Sequence, residues 1–266
     1  MNSVPADDLE SFGSDSWKEV GAGESHARVF ARADGLQYAK LVARGRVAEL
    51  MAERDRCEWA SANGIPGPAV RSWQTDGSGA RLVTSAVTGI SAHRVDAKRA
   101  RSVWLNIIDA VRMMHQTDPA DCPFDRGVDQ MFSLARDVVS RDAVNRDFLR
   151  PEQLTSTPRE LLDDLSRQLP LRLDQELADR VVCHGDLCLP NIMVDPETLE
   201  VVGFVDLGRL GLADRHADLS LLLANAQDTW PEHADALAEA LLARYGHPID
   251  TDRLEFHLHL DPLTWD

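Results

Sequence analysis

The chain has 266 residues, and 44% of them are hydrophobic. Its 28 lysines and arginines stand against 44 aspartates and glutamates, a formal charge of −16 at pH 7. That length can bury a full core as one large domain or two lobes. The excess of carboxylates disfavours nucleic acid and anionic membranes as partners, whose phosphates it would repel, and favours a cationic small molecule.

Met1–Ser16 is polar and acidic, without the basic and apolar regions of a signal peptide, and is expected to be a flexible lead. Strand-like runs follow. Trp17–Val20 and Ala27–Ala31 flank Gly21-Ala22-Gly23-Glu24-Ser25-His26, and Leu36–Val42 comes after the hairpin signal Asp34-Gly35. Val47, Leu50, Met51 and Cys57 at helical spacing predict a helix over Val47–Ala62, stopping at Asn63-Gly64. Pro68–Trp73 and Ala80–Val87 read as two more strands. Past Thr88-Gly89, a stripe of Val103, Ile107, Val111 and Met114 predicts a helix over Val95–Gln116. Gly127–Val144 and Thr157–Leu169 read as further helices. Val181–Cys183, Ile192–Val194 and Val201–Val205 are short strands, and Asp214–Ala226, Pro231–Tyr245 and Thr251–Leu260 are closing helices. The class is therefore α+β, with a small β-rich lobe at residues 17–88 and a larger α-rich lobe at 89–266. No apolar run approaches the ~18 residues of a membrane span. Cys57, Cys122, Cys183 and Cys188 are scattered and read as reduced thiols, which points to the cytoplasm.

The chemistry concentrates in Cys183-His184-Gly185-Asp186-Leu187-Cys188-Leu189-Pro190-Asn191 and, past a short hairpin, Val205-Asp206-Leu207-Gly208-Arg209. An aspartate, an asparagine and a second aspartate in this order form a phosphoryl-transfer layout. One carboxylate orients an attacking hydroxyl, while the Asn oxygen and the other carboxylate suit Mg²⁺ on nucleotide phosphates. Upstream, Lys40 lies in the third strand, in a chain whose other lysines are only Lys18 and Lys98. A lysine there would reach the α- and β-phosphates and needs a carboxylate on the next helix. Glu49 and Glu53 are the candidates, and Glu53 is chosen as nearer the apolar stripe. Gly21-x-Gly23, with Ser25, fits a loop whose N–H groups cover phosphates. The strand ending at Thr88-Gly89 fits a hinge, with backbone contacts to adenine placed at Ser85 and Val87. There is no Gly-x4-Gly-Lys-Ser/Thr run, which excludes a P-loop kinase.

The His184-Gly185-Asp186-x4-Asn191 and Asp206-Leu207-Gly208-Arg209 motifs resemble the aminoglycoside phosphotransferase family, relatives of the protein kinases. The resemblance runs from Gly21 to the C-terminus. It is closest to the streptomycin 3″ branch at Val181–Asp195, Asp206–Asn225 and Leu260–Trp265. It implies a bilobal protein-kinase-like fold and transfer of the ATP γ-phosphoryl group to a drug hydroxyl. Under it, Asp186 is the catalytic base, Asn191 and Asp206 bind Mg²⁺, and Lys40 pairs with Glu53. Asp218 would brace the catalytic loop, with His184 and Arg209 in support. Asp261 would be an acceptor carboxylate, after the family habit of using C-terminal acids. Gly185 replaces the arginine that protein kinases carry after the catalytic-loop His, and no Ala-Pro-Glu segment is present, both pointing to a small-molecule kinase. Another aminoglycoside or choline as acceptor, a pseudokinase binding module, and a metal-dependent hydrolase stand as alternatives.

Overall fold

The computed structural model describes residues 16–20 and 27–266. The expected lead, apart from Ser16, and the Gly21, Gly23 and Ser25 loop lie outside the described residues. The chain divides into two compact units. One holds the described residues up to Ile90 together with Met193–Asp195 and Val202–Gly208, and the other holds the remainder.

The first unit is built on β1 (Trp17–Val20), β2 (Arg28–Arg32), β3 (Gln37–Ala43), β4 (Val70–Thr75) and β5 (Gly79–Ser85), an antiparallel sheet of order β1-β2-β3-β5-β4. Alternation along β3 sends Ala39 and Leu41 to one face with Phe30 and Val83. Val42 goes to the other face, with Ala80, Leu82 and Leu50. Leu50 belongs to α1 (Val47–Ala62), whose buried stripe is Leu50, Cys57 and Ala60. Met51, expected on that stripe, is instead 42% exposed, because it lies a third of a turn round the helix from Leu50. The helix ends where Gly64 takes φ +76° and Ile65 N–H donates back to Ala60 O at 3.0 Å.

The second unit is mostly helical. Its first long helix, α2 (Ala100–His115), buries Val103, Trp104, Ile107, Ile108, Val111 and Met114. It starts later than the stripe alone suggests: the Asp96 side chain accepts from Lys98 N–H at 2.8 Å and caps a separate 3₁₀ turn ahead of it. Then come α3 (Val128–Ser140) and α4 (Pro158–Ser166), the latter opened by a Thr157–Glu160 capping box. Pro170, where the predicted helix stopped, instead sits in the first turn of another helix, α5 (Leu169–Asp179), where its missing N–H costs nothing.

A short strand after α5 (Arg180–Cys183) pairs antiparallel with Gly211–Asp214, a strand too short for the sequence pattern to register. The chain closes with α6 (Arg215–Thr229), α7 (Ala234–Arg244) and α8 (Thr251–Leu260). Phe132, Leu162, Leu165, Phe256, Leu260 and Leu263 form a core that fixes α3, α4, α8 and the C-terminal 3₁₀ turn Asp261–Thr264 together. Among the described residues, no helix is long and apolar enough to cross a membrane.

Candidate active site

The predicted site residues fall in two groups, one in each unit. In the first, the Lys40 ammonium donates to Glu53 Oε1 at 2.6 Å and to Asp206 Oδ1 at 2.8 Å. Strand β3 aims Lys40 to the α1 side of the sheet, and Glu53 shares the inward face of α1 with Leu50 and Cys57. Glu49, one turn earlier, points out to Arg46 at 3.0 Å. Burial works to lower the Lys40 pKa, but the charges of Glu53 and Asp206 and their hydrogen bonds outweigh it, so the ammonium is held above its ordinary value. Glu53 is pushed up by burial and by Asp206, against the opposing charge of Lys40. Behind the pair, burial and Glu53 push the Cys57 thiol up to about 12, which keeps it protonated and inert.

Asp206 has φ 61°, in the left-handed region. Such a conformation at a non-glycine residue costs ~1–3 kcal/mol and persists where surrounding contacts enforce it, here the Lys40 bridge. The Ser85 N–H donates to Ala69 O at 2.8 Å and its hydroxyl accepts from Ala69 N–H at 2.9 Å, so Ser85 has no amide donor to offer a base. Val87 packs beside Gly203.

In the second unit, Asp186 and Asn191 are joined directly. Asn191 Nδ2 donates to Asp186 O at 2.9 Å and to Asp186 Oδ2 at 3.1 Å. Leu187 and Leu189, both fully buried, anchor the loop between them. His184 is fully buried and its Nδ1 accepts from Asp186 N–H at 3.2 Å, which assigns its proton to Nε2. Gly185 takes φ +80°.

Beneath lies Asp218, fully buried on α6. It accepts from His184 N–H at 2.6 Å and from Gly185 N–H at 2.9 Å, and His115 Nε2 lies 3.1 Å from Asp218 Oδ2. Burial raises its pKa. The His115 hydrogen bond and the Gly185 amide prevail, so the carboxyl stays below its usual range. A buried acceptor-only group facing two loop amides fixes the peptide planes on either side of His184, and so the approach of the chain to Gly185 and Asp186.

Two residues in this frame escape sequence reasoning. His115 bridges Asp218 to the Tyr245 hydroxyl, 2.6 Å from Nδ1. Asn225 Oδ1 accepts from Leu189 N–H at 2.9 Å. Asn225 lies two helical turns after Asp218, on the same face of α6, and that spacing was the available signal. Donor atoms of His115, Cys183 and Asp218 lie within 4.8 Å of one another. Both His115 nitrogens and both Asp218 oxygens already serve the hydrogen bonds above, so these groups satisfy one another.

Asp261, expected as an acceptor carboxylate, is mostly buried. Its Oδ1 lies 3.7 Å from Arg209 Nη1 and 3.8 Å from Arg126 Nη2, and its Oδ2 accepts from Trp265 Nε1 at 3.0 Å.

A lysine–glutamate pair reaching an aspartate after a β-hairpin, and an aspartate–asparagine loop braced by a buried helix carboxylate, define a protein-kinase-like phosphotransferase. The chain belongs to the phosphotransferase enzyme family, whose model matches residues 16–257. It is 56% identical over 251 residues to the streptomycin 3″-kinase of Streptomyces griseus, covering 94% of this chain and 92% of that one. It is 38% identical to an aminoglycoside 3′-phosphotransferase of Streptomyces fradiae, covering 92% and 94%. Among solved structures, APH(3″)-Id of Streptomyces rimosus in complex with ADP and streptomycin superposes with a TM-score of 0.91 at 50% identity, over 97% of this chain and 99% of that one.

Proposed function

We propose that this protein is an ATP-dependent streptomycin 3″-phosphotransferase that inactivates the drug and so confers resistance. The single observation that carries the mechanism is the Asp186 carboxylate, fixed by Asn191 and set on a loop whose amides Asp218 holds. The acceptor hydroxyl oxygen attacks the γ-phosphorus in line. The new O–P bond forms as the bond from the γ-phosphorus to the β–γ bridging oxygen breaks, the hydroxyl proton passes to an Asp186 oxygen, and ADP leaves.

Lys40 stays charged in its place against Glu53 and offsets the phosphate charge. The remaining donors suit a hard cation. Asn191 commits its amide nitrogen to Asp186, leaving the amide oxygen to ligate, and the Asp206 side chain is half exposed. Asn191 and Asp206 would hold Mg²⁺, which neutralises nucleotide phosphate charge. Val87 and the Ser85 carbonyl are the candidates for backbone contacts to adenine. The net charge of −16 suits a guanidinium-bearing polycation as acceptor.

The test is ADP release with Mg-ATP and, in turn, streptomycin, kanamycin and choline. Streptomycin-only stimulation, with the product phosphorylated at 3″ by NMR, is expected. Asp186→Ala should abolish it while nucleotide binding persists. Stimulation by kanamycin or choline alone would keep the chemistry and overturn the substrate.

A further inference from the structure

Asn191 ends the 3₁₀ turn Leu189–Asn191, whose main chain is held from two sides. On one side, Asn225 Oδ1 on α6 accepts from Leu189 N–H at 2.9 Å. On the other, the Ser91 hydroxyl lies 3.1 Å from Leu189 O and 2.9 Å from Pro190 O. Both backbone groups of Leu189 are therefore committed, and its side chain is fully buried. Asn225 follows Asp218 by seven residues on α6. One helix thus grips the loop twice, through Asp218 ahead of Asp186 and through Asn225 ahead of Asn191.

The contact to Pro190 O bears directly on Asn191, because that carbonyl belongs to the peptide unit leading into it. The N–H of the same unit donates to Cys188 O at 3.0 Å. A peptide unit is planar, so holding its oxygen and its N–H fixes the plane, and with it the direction in which the Asn191 side chain leaves the backbone. The far end of that side chain is held as well, through Nδ2 on Asp186. The Ser91 hydroxyl has a single proton, and the two carbonyls take it. His93 Nδ1 lies 2.7 Å from the same oxygen, so this nitrogen carries a proton and donates it to Ser91. His93 thereby keeps the Ser91 proton turned toward the loop.

We propose that Ser91 and Asn225 are positioning residues for Asn191: they clamp the turn ahead of it and so hold its amide oxygen in place for Mg²⁺. The inference rests on Asn191 being a ligand of that cation. Ser91 controls the carbonyls of the turn and Asn225 its first amide, so loss of either frees a peptide plane next to the ligand.

The experiment uses the full-length chain with ADP bound. Mn²⁺, a paramagnetic stand-in for Mg²⁺, is titrated in and followed by EPR. The Mg²⁺ concentration for half-maximal ADP release and the KM for streptomycin are measured alongside. The variants are Ser91→Ala, Ser91→Thr and Asn225→Ala, with Asn191→Ala as reference. Partners that orient a metal ligand are worth about ten- to a hundredfold in metal affinity. Ser91→Ala and Asn225→Ala should each weaken Mn²⁺ binding by about tenfold or more and raise the half-maximal Mg²⁺ by a like factor, with KM for streptomycin within about threefold of wild type. Ser91→Thr, which keeps the hydroxyl, should bring Mn²⁺ affinity back to within about threefold of wild type. Wild-type Mn²⁺ affinity in both alanine variants, whatever their thermal midpoints, would make these contacts structural only and overturn the inference. Should Asn225→Ala fail to fold, the Ser91 variants carry the test, since Ser91 is only half-buried. Wild-type Mn²⁺ affinity in Asn191→Ala overturns the ligand assignment instead. Weakened binding in Asn191→Ala beside wild-type binding in Ser91→Ala and Asn225→Ala overturns this inference alone.

Discussion

Gly185→Ala adds one carbon at the tightest point between the catalytic loop and Arg209. Gly185 sits at φ +80°, where an L-residue is strained by roughly 1–2 kcal/mol. The new methyl would also land 2.2 Å from Arg209 O, 2.8 Å from Arg209 C and 3.0 Å from Arg209 Cβ. The first two are backbone atoms, so no rotamer change relieves the clash. Restoring ordinary contact at 3.4 Å moves the loop or the Arg209 segment by roughly an ångström. Asp186 is the next residue, and a shift of that size costs on the order of a hundredfold in kcat, or ~2.7 kcal/mol in the barrier.

Gly64→Ala is the matched control. It has φ +76° and nothing within 4 Å of the added carbon, so it carries the same strain without the displacement. The assay is steady-state ADP release at saturating ATP and streptomycin, with thermal midpoints for both variants. Both midpoints should fall by several degrees, at ~2–4 °C per kcal/mol, and only Gly185→Ala should lose kcat. If Gly185→Ala keeps kcat within threefold while Asp186→Asn is inactive, the reasoning from loop position to rate is wrong.

Three further outcomes follow from the same contacts. Glu53→Gln removes the carboxylate 2.6 Å from Lys40 and leaves Asp206 as the lysine's partner, so kcat/KM for ATP should fall by about tenfold or more, read from ATP titrations. Asp218→Asn turns an amide NH₂ or a single oxygen toward two backbone N–H groups, leaving a buried donor unpaired, and should destabilise the protein by ~1–3 kcal/mol in thermal or urea unfolding and depress kcat with it.

Asp214 gives the pH dependence. Burial raises its pKa, but hydrogen bonds and charges from His216 and His257 outweigh it, so the folded value lies far below the ordinary 3.8. A depressed carboxyl contributes stability above 3.8 and loses it as pH falls toward the folded value, by ~1.4 kcal/mol per pH unit. The midpoint gap between wild type and Asp214→Asn should therefore be widest near neutrality and narrow below about pH 4. A gap that holds constant down to pH 3 would refute this account.

Much of the fold was legible in the sequence because its signals are short-ranged. Helix α1 is bounded as its periodicity and the Asn63-Gly64 stop indicate, and the stripe of α2 is buried as read. The α+β class and the motif spacing around Asp186, Asn191 and Asp206 are likewise local facts of the chain. Where local signals misled, a neighbour had reassigned them. The helix expected over Thr157–Leu169 ends at Ser166, and Pro170 sits in the first turn of α5, where proline is neutral. Strand Gly211–Asp214 exists because Arg180–Cys183 offers it an edge.

The partners within the site needed three dimensions. Whether Lys40 meets Glu53 or Glu49 depends on the phase of α1 against β3, which burial of Leu50 and Cys57 decides. Asp218 reaches a loop 33 and 34 residues away, and His115 joins it from 103 residues away. Asp261 lies 3.7 Å from Arg209 and 3.8 Å from Arg126, neighbours that nothing near it in the sequence indicates. A buried charge must be paired wherever packing places an opposite one, and no local pattern records which one that is. Residue types and their spacing thus determined what chemistry the chain can perform. Tertiary packing alone decided which groups face each other and which are spent on holding the loop.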